Sequence, residues 1–255
     1  MTYTVLAIDS GAGVIGIASA SASLAVGNSI AAIDPSTGAV ASQAWTNRAL
    51  RHEILAALRR RLSPRDALES ALACDPGPQY RQVGVITWDA GSISHTGSLC
   101  TPWAGERSGP GYLAIGNYLA GAAVLDAAAR VLAGRPATIE PAETPDHTVR
   151  VDESGRPLDF VTVAVETMAR TLIAALGAAE DAGGDSRGVF SSCLLVARRS
   201  SDLMWPPDVD IDLRADDDPD PVGRLVRLLD RRLQQLTVGA IPSAIANQTV
   251  TLRKG

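Results

Sequence analysis

From Tyr3 to Ala44 the chain is a succession of short apolar runs rich in Val, Ile, Ala and Ser, cut by Gly11-Ala12-Gly13, Gly27-Asn28 and Asp34-Pro35-Ser36-Thr37-Gly38. Turn residues at that spacing predict three or four antiparallel strands, because each run is short and ends where the backbone can reverse. Small residues at Ser19, Ala20, Ser21, Ala22 and Ser23 let a second layer approach closely, which weakens any reading of these serines as catalytic. Leu50 to Arg61 and Ser63 to Cys74 place apolar residues at helical spacing, with Ser63 as N-cap and Pro64 in the first turn of the second helix. Strand character returns over Arg81 to Asp89 and Ser92 to Thr96. A strand block, a helix pair and a second strand block favour an α+β or layered architecture over a parallel sheet.

The remainder predicts helices over Ala122 to Ala133, Phe160 to Ala179 and Pro221 to Leu236, and strands over Phe190 to Arg198 and Val209 to Ala215. Residues 136–157, rich in Pro and Glu, form an expected exposed insertion, and 237–255 an expected tail whose Thr249 to Leu252 offers an edge strand. With 255 residues, 46% hydrophobic and 20% charged, the chain suits one large domain. A net charge of −5, with arginines scattered along helices and few aromatics among them, speaks against a nucleic-acid partner. No apolar stretch approaches the roughly 18 residues of a membrane span, and the start lacks the pattern of a secretory signal, so the expectation is a cytoplasmic protein off the membrane. Cys74, Cys100 and Cys193 are too few and too scattered for a zinc site or a disulfide framework.

Thr2 stands directly behind Met1 at the head of the strand-like run Thr2 to Asp9. Methionine removal would give this hydroxyl its own base, since a free α-amine titrates near roughly 7.7–8.0 and takes the hydroxyl proton as the oxygen attacks a carbonyl. Such chemistry needs no histidine. Among the three histidines, His52 sits on a charged helix face, His147 in the insertion, and His95 at a strand end within reach of a site. Cys100 beside Trp103 reads as a packed thiol, because nothing nearby supplies positive charge to lower its pKa.

Three segments keep two readings each. Asp208 to Asp220 offers carboxylates to a hard cation, but its spacing departs from the EF-hand template, and a solvated turn with Asp217 or Asp220 capping the helix at Pro221 is the plainer account; no metal is expected. Gly183-Gly184-Asp185-Ser186-Arg187-Gly188 is either a tight turn with Asp185 and Arg187 paired or a turn that aims Arg187 at a pocket. Asn117 beside Gly116 is either a turn residue or a site amide.

Read together, Thr2, Ala25-Val26-Gly27, Ser42-Gln43-Ala44-Trp45-Thr46-Asn47, Asp75 with Arg81-Gln82, Thr96-Gly97, Trp103-Ala104-Gly105, Gly116-Asn117, the Gly183 to Gly188 turn and Asp212 to Pro221 resemble the family catalogued as domain of unknown function 1028. The resemblance runs nearly end to end. It implies the N-terminal nucleophile (Ntn) hydrolase superfamily and its four-layer αββα sandwich, two antiparallel sheets between helical layers. Carried over, it makes Thr2 the nucleophile, Asn117 a catalytic oxyanion donor, and Gln43, Asn47 and Arg187 polar groups around the pocket; Asp185, Phe190 and His95 are further candidate substrate-binding residues. Members often carry Gln where this chain has Phe190 and His where it has Asp218.

The function so implied is an amidohydrolase acting on a small amide, lactam, ureido or peptide-like substrate without a cofactor. Two rivals stand beside it: a ligand-binding or assembly subunit that keeps the fold and leaves the nucleophile unused, and an acyl-transferase or cyclase that passes the acyl group to an amine. A homodimer or higher homo-oligomer is the expected assembly.

Overall fold

A computed structural model describes residues 2–89, 91–135, 160–201 and 207–238. It is a mixed α/β structure with two antiparallel sheets and six α-helices among the described residues. In chain order these are β1 (Thr2–Asp9), β2 (Val14–Ser21), α1 (Val26–Ser29), β3 (Ala31–Asp34), β4 (Gly38–Ala44), α2 (Ala49–Arg59) and α3 (Pro64–Cys74), then β5 (Arg81–Thr87), β6 (Gly91–Thr96), β7 (Gly105–Gly109) and β8 (Tyr112–Asn117). After these come α4 (Ala122–Ala133), α5 (Phe160–Asp181), β9 (Ser191–Arg198), β10 (Ile211–Asp216) and α6 (Pro221–Val238). The 136–157 insertion and the tail beyond residue 238, including the Thr249 to Leu252 edge strand, lie outside the described residues.

The larger sheet runs β10-β9-β2-β1-β8-β7 and the smaller β3-β4-β5-β6. The anticipated opening strand block is therefore divided, with β1 and β2 at the centre of one sheet and β3 and β4 in the other. Alternation along β1 shows the physical reason its run Val5 to Ile8 is apolar on both faces. Tyr3, Val5 and Ala7 pack with Leu125, Leu172 and Leu225 of α4, α5 and α6. Leu6 and Ile8 point the other way, into a cluster with Ile17, Ile33, Ile86 and Ile115 between the two sheets. A third cluster joins Val40, Val83 and Val85 to Leu50, Ile54, Leu58 and Leu68 of α2 and α3. Each large aliphatic side chain so buried contributes roughly 1.5–3 kcal/mol relative to exposure.

Close layers demand small residues where they touch. At Gly16 of β2 an added Cβ would come within 2.4 Å of Leu172 on α5, so a side chain there would force the helix away from the sheet.

Helix ends follow their sequence cues. Ser63 caps α3 by accepting from the Asp66 N–H at 3.1 Å, and the carboxylate of Asp220 caps α6 by accepting from the Gly223 N–H at 2.8 Å. Other carboxylates of the acidic stretch are also engaged: Asp210 pairs with Arg198, Asp212 with Arg214, and Asp216 accepts from the Ala25 N–H. Helix α2 closes with Arg61 at φ 69°, its N–H bonded to the Leu58 carbonyl and that of Leu62 to the Ala57 carbonyl, the paired bonds of a Schellman cap.

The sequence reading did not anticipate the hairpin of β7 and β8. Gly105-Glu106-Arg107-Ser108-Gly109 carries no apolar period because β7 is an edge strand. Its turn is the Pro110-Gly111 pair, with Gly111 at φ 68°.

Candidate functional site

The first residue of β1 lies between two polar partners. Thr2 pairs across the sheet with Ser21 of β2 on one side and Asn117 of β8 on the other. Directly opposed residues share a face with their Cβ atoms roughly 4.5–5.5 Å apart, so both side chains flank that of Thr2. Thr4, two residues on, shares the same face and meets Ser19 at 2.8 Å. Below them, from the other sheet, come Gln43 of β4 and Gln82 of β5, side by side and fully buried.

Fixed carbonyls set the direction of this network. The oxygens of Gly105 and Gly116 can only accept, so Gln82 presents its amide Nε2 to them at 3.1 and 2.8 Å, and also to Thr96 Oγ1 at 3.0 Å. Its Oε1 then receives the N–H groups of Gln43 at 2.8 Å and Asn117 at 3.0 Å. Gln43 Nε2 also donates to the Thr2 carbonyl at 3.2 Å, and its Oε1 accepts from the Thr4 hydroxyl at 2.6 Å. Two glutamines thus tie the backbone of Thr2 and the side chain of Asn117 to one anchor. The Thr2 hydroxyl, 2% exposed, donates to Ser21 Oγ at 3.1 Å, and Ser21 Oγ also accepts the Ser23 N–H at 3.0 Å.

A rim of polar and aromatic groups follows from neighbouring chain segments. Asp185 is buried, takes the Ala22 N–H at 3.3 Å and binds Arg187 through Nε at 3.3 Å and Nη2 at 3.2 Å. The Arg187 guanidinium lies 5.5 Å from the Tyr118 ring centroid, immediately beyond Asn117. Phe190, half-exposed, bonds through its N–H to the Ser21 carbonyl.

The sequence matches the family described as "Family of unknown function (DUF1028)" over residues 2–225. The chain belongs to that family. A crystal structure of protein SPO2555 from Silicibacter pomeroyi, of the same family, aligns at TM-score 0.70 and 28% identity over 90% of this chain and 85% of that one. Anbu, an ancestral β-subunit from Yersinia bercovieri, aligns at TM-score 0.35 and 11% identity over 95% and 98% of the two chains. Anbu from Hyphomicrobium sp. strain MC1 aligns at TM-score 0.33 and 12% identity over the same shares. Both scores are too low to carry an argument about this DUF1028 chain. No curated protein matches it.

In this DUF1028 chain Thr2, Gln43 and Asn117 are brought together, and the segment before β9 carries Asp185, Arg187 and Phe190 to Ala22, Tyr118 and Ser21 beside them. His95 and Asn47 are not in that network. His95 pairs opposite Val83, whose side chain faces α2 and α3, and its Nε2 meets the Pro78 carbonyl at 2.9 Å. Asn47 binds Asp75 at 2.8 Å and caps the entry to α2 through the Ala49 N–H at 3.0 Å. Of the two readings of the Gly183 to Gly188 turn, the Asp185–Arg187 pair is the one present. Sequence reasoning missed Ser21, Ser19, Thr4, Gln82 and Thr96 as members of the network. Strand alternation would have flagged Thr4, which shares a face with Thr2; the others come from β2, β5 and β6, whose pairing is not local.

Cys100 donates to the Arg81 carbonyl, and burial raises its thiol pKa; burial pushes Cys193 up to about 12. Both are inert packed thiols under ordinary conditions. Among the described residues no group of three or more His, Cys, Asp or Glu is placed to hold a metal ion, and no helix is long and apolar enough to cross a membrane.

Outside that network, Asp75 is held ionised by its neighbours. Hydrogen bonds from Arg81, then from Asn47 and the Gly77 N–H, hold its carboxyl at about 2 against burial. A folded value below the unfolded one of about 3.9 means a contribution fully present above that pH and lost as pH falls toward 2. The shift corresponds to about 2 kcal/mol. Asp75→Asn is expected to cost about that much in urea unfolding at pH 7, with the gap to wild type narrowing at pH 3. An equal gap at both pH values would remove the ionic explanation.

Proposed function

We propose that the Thr2 network is the active site of an Ntn-type amidohydrolase, and that the two sheets with helices on their outer faces form the four-layer αββα sandwich of that superfamily. The observation that carries the reading is the placement of Thr2: a hydroxyl residue heading a central strand, flanked in register by Asn117 and Ser21, its backbone held by Gln43. With the α-amine freed by methionine removal, Thr2 Oγ1 attacks the substrate carbonyl as its proton passes to that amine. The developing oxyanion takes the Asn117 Nδ2 N–H that Gln82 does not use. Collapse expels the substrate amine, which leaves with the proton from the ammonium, and an ester remains on Thr2. Water, deprotonated by the same amine, attacks the ester and releases the acid.

Gln43 and Gln82 position these groups without touching substrate. Arg187 spends Nε and Nη2 on Asp185 and keeps Nη1 for a further partner, a geometry suited to a substrate carboxylate at the rim. Burial of the Thr2 hydroxyl favours a second reading, a binding subunit that keeps the network and does no chemistry.

One experiment separates the two. Protein expressed without an N-terminal tag is weighed intact, then treated with a β-lactone, a strained ester that acylates an activated hydroxyl. Loss of one methionine and a stoichiometric adduct on the N-terminal peptide are expected for the hydrolase. Retained methionine, or a freed Thr2 that takes no label, would favour the binding subunit.

A further inference from the structure

A cavity of about 650 Å³ lies at the opposite end of the sheets from Thr2. Strand geometry fixes the separation. Gln82 at the start of β5 belongs to the Thr2 network while Thr87 at its end lines the cavity, five residues or roughly 16 Å further on. Ser10, just past the far end of β1, bonds to the carbonyl of Trp88, which also lines it. The walls come from the turn after β3, the junction of α2 and α3, the residues after β5 and those after β9.

Charge at this end runs against the rest of the molecule. The chain carries a net charge of −5, yet among the described residues the lining holds Arg59, Arg61 and Arg199 against the carboxylate of Asp89. Arg59 is bound to Asp34, whose other oxygen accepts from Ser36. Arg199 stacks 5.2 Å from the Trp88 ring centroid and reaches Asp89 only at 3.8 Å, where Asp89 is 85% exposed. Arg61 has no ion pair among the described residues.

Two further observations point to a ligand. Thr87 is 7% exposed, and neither its hydroxyl nor that of Thr37, both on the lining, has a partner among the described residues. A buried hydroxyl left unpaired is costly; both oxygens are enclosed beneath the lining, and a turn of the Thr87 side chain toward a bound oxygen would relieve its cost. Arg61, a lining residue, occupies the left-handed position of the α2 cap, where glycine is conformationally easier.

We infer that this cavity is a second ligand site, taking a small organic anion. Its phosphate or carboxylate is held by Arg61 and Arg199 and by the Thr87 hydroxyl, and its apolar body rests on Leu58, Leu62 and Trp88. A cavity of this size exceeds what a bare phosphate needs and falls in the range of metabolite-sized ligands.

The test is calorimetric titration of the full chain with phenyl phosphate, benzoate and neutral benzyl alcohol at low salt, on wild type, Arg61→Gly and Thr87→Val. Saturable binding of either anion, at least roughly tenfold tighter than benzyl alcohol, is expected; the tighter of the two identifies phosphate or carboxylate as the recognised group. Arg61→Gly is expected to weaken binding roughly tenfold or more and Thr87→Val several-fold, while both raise Tm by roughly 1–4 °C because strain or an unpaired hydroxyl is removed. A rise in Tm with a loss of affinity excludes misfolding as the cause. Neither anion saturating, benzyl alcohol binding equally well, or affinity unchanged in both variants would overturn the inference.

Discussion

Thr2→Ala is expected to lower amide-cleaving turnover at least ~10³-fold while the protein remains folded, because it removes the attacking oxygen and little else. The hydroxyl makes one hydrogen bond to a described residue, to Ser21 at 3.1 Å, whose loss costs roughly 0.5–1.5 kcal/mol. The backbone stays paired on both sides through β2 and β8, and Gln43 still holds the residue's carbonyl. Methionine removal tolerates alanine, so the intact mass of the variant serves as its own control. Thr2→Ser should keep measurable turnover, since it preserves Oγ and removes only a methyl group. The measurement is hydrolysis of a panel of amides and lactams, with urea unfolding run on the same samples. A folded, processed Thr2→Ala protein that turns over substrate like wild type would refute the mechanism outright.

Much of the framework was legible because its determinants are local. The helices α2, α3 and α4 follow from apolar spacing with a Ser63-Pro64 start, and β1 to β6 from apolar runs between Gly, Pro and Asn turns. The β7 and β8 hairpin escaped because an edge strand built of Gly, Glu, Arg and Ser has no apolar face to announce it, although Pro110-Gly111 is a turn pair. That omission hid Asn117's true setting: it is the last residue of β8, opposite Thr2, and not a turn residue. The site was legible only in part for the same reason. Thr2, Gln43 and Asn117 come from strands 40 or more residues apart, and nothing local reveals that β4 and β8 end beside the same strand. Gln82 stood in plain view next to Arg81, yet only the two-sheet arrangement shows that its amide faces Asn117. His95 and Asn47 lie one strand face or one helix entry away, distances that sequence spacing does not resolve.

The largest stability effect is expected at Gln82, where leucine preserves volume and deletes every polar contact. Gln82 is fully buried, receives the Gln43 and Asn117 amides through Oε1, and donates through Nε2 to Thr96 and the Gly105 and Gly116 carbonyls. In Gln82→Leu the Asn117 donor loses its partner and Gln43 keeps the Thr2 carbonyl and the Thr4 hydroxyl but loses its bond to Gln82, so buried amide N–H groups face hydrocarbon. Each such group costs about 1–3 kcal/mol, which places the substitution at about 3–5 kcal/mol and lowers Tm by roughly 8–16 °C. Chemical denaturation measures the loss. Coupling supplies the sharper reading. If the network is one unit, Asn117→Leu added to Gln82→Leu costs less than Asn117→Leu alone, because its partner is already gone, and a double-mutant cycle should return an interaction of about 1 kcal/mol or more. Strict additivity, or a Gln82→Leu penalty below about 1 kcal/mol, would mean the two glutamines are packed amides and not the anchor of Asn117. The same substitution bears on catalysis, since an Asn117 released from Gln82 can turn away from the oxyanion. The kcat normalised to the folded fraction should therefore fall, whereas a loss of folded protein alone leaves that normalised value unchanged.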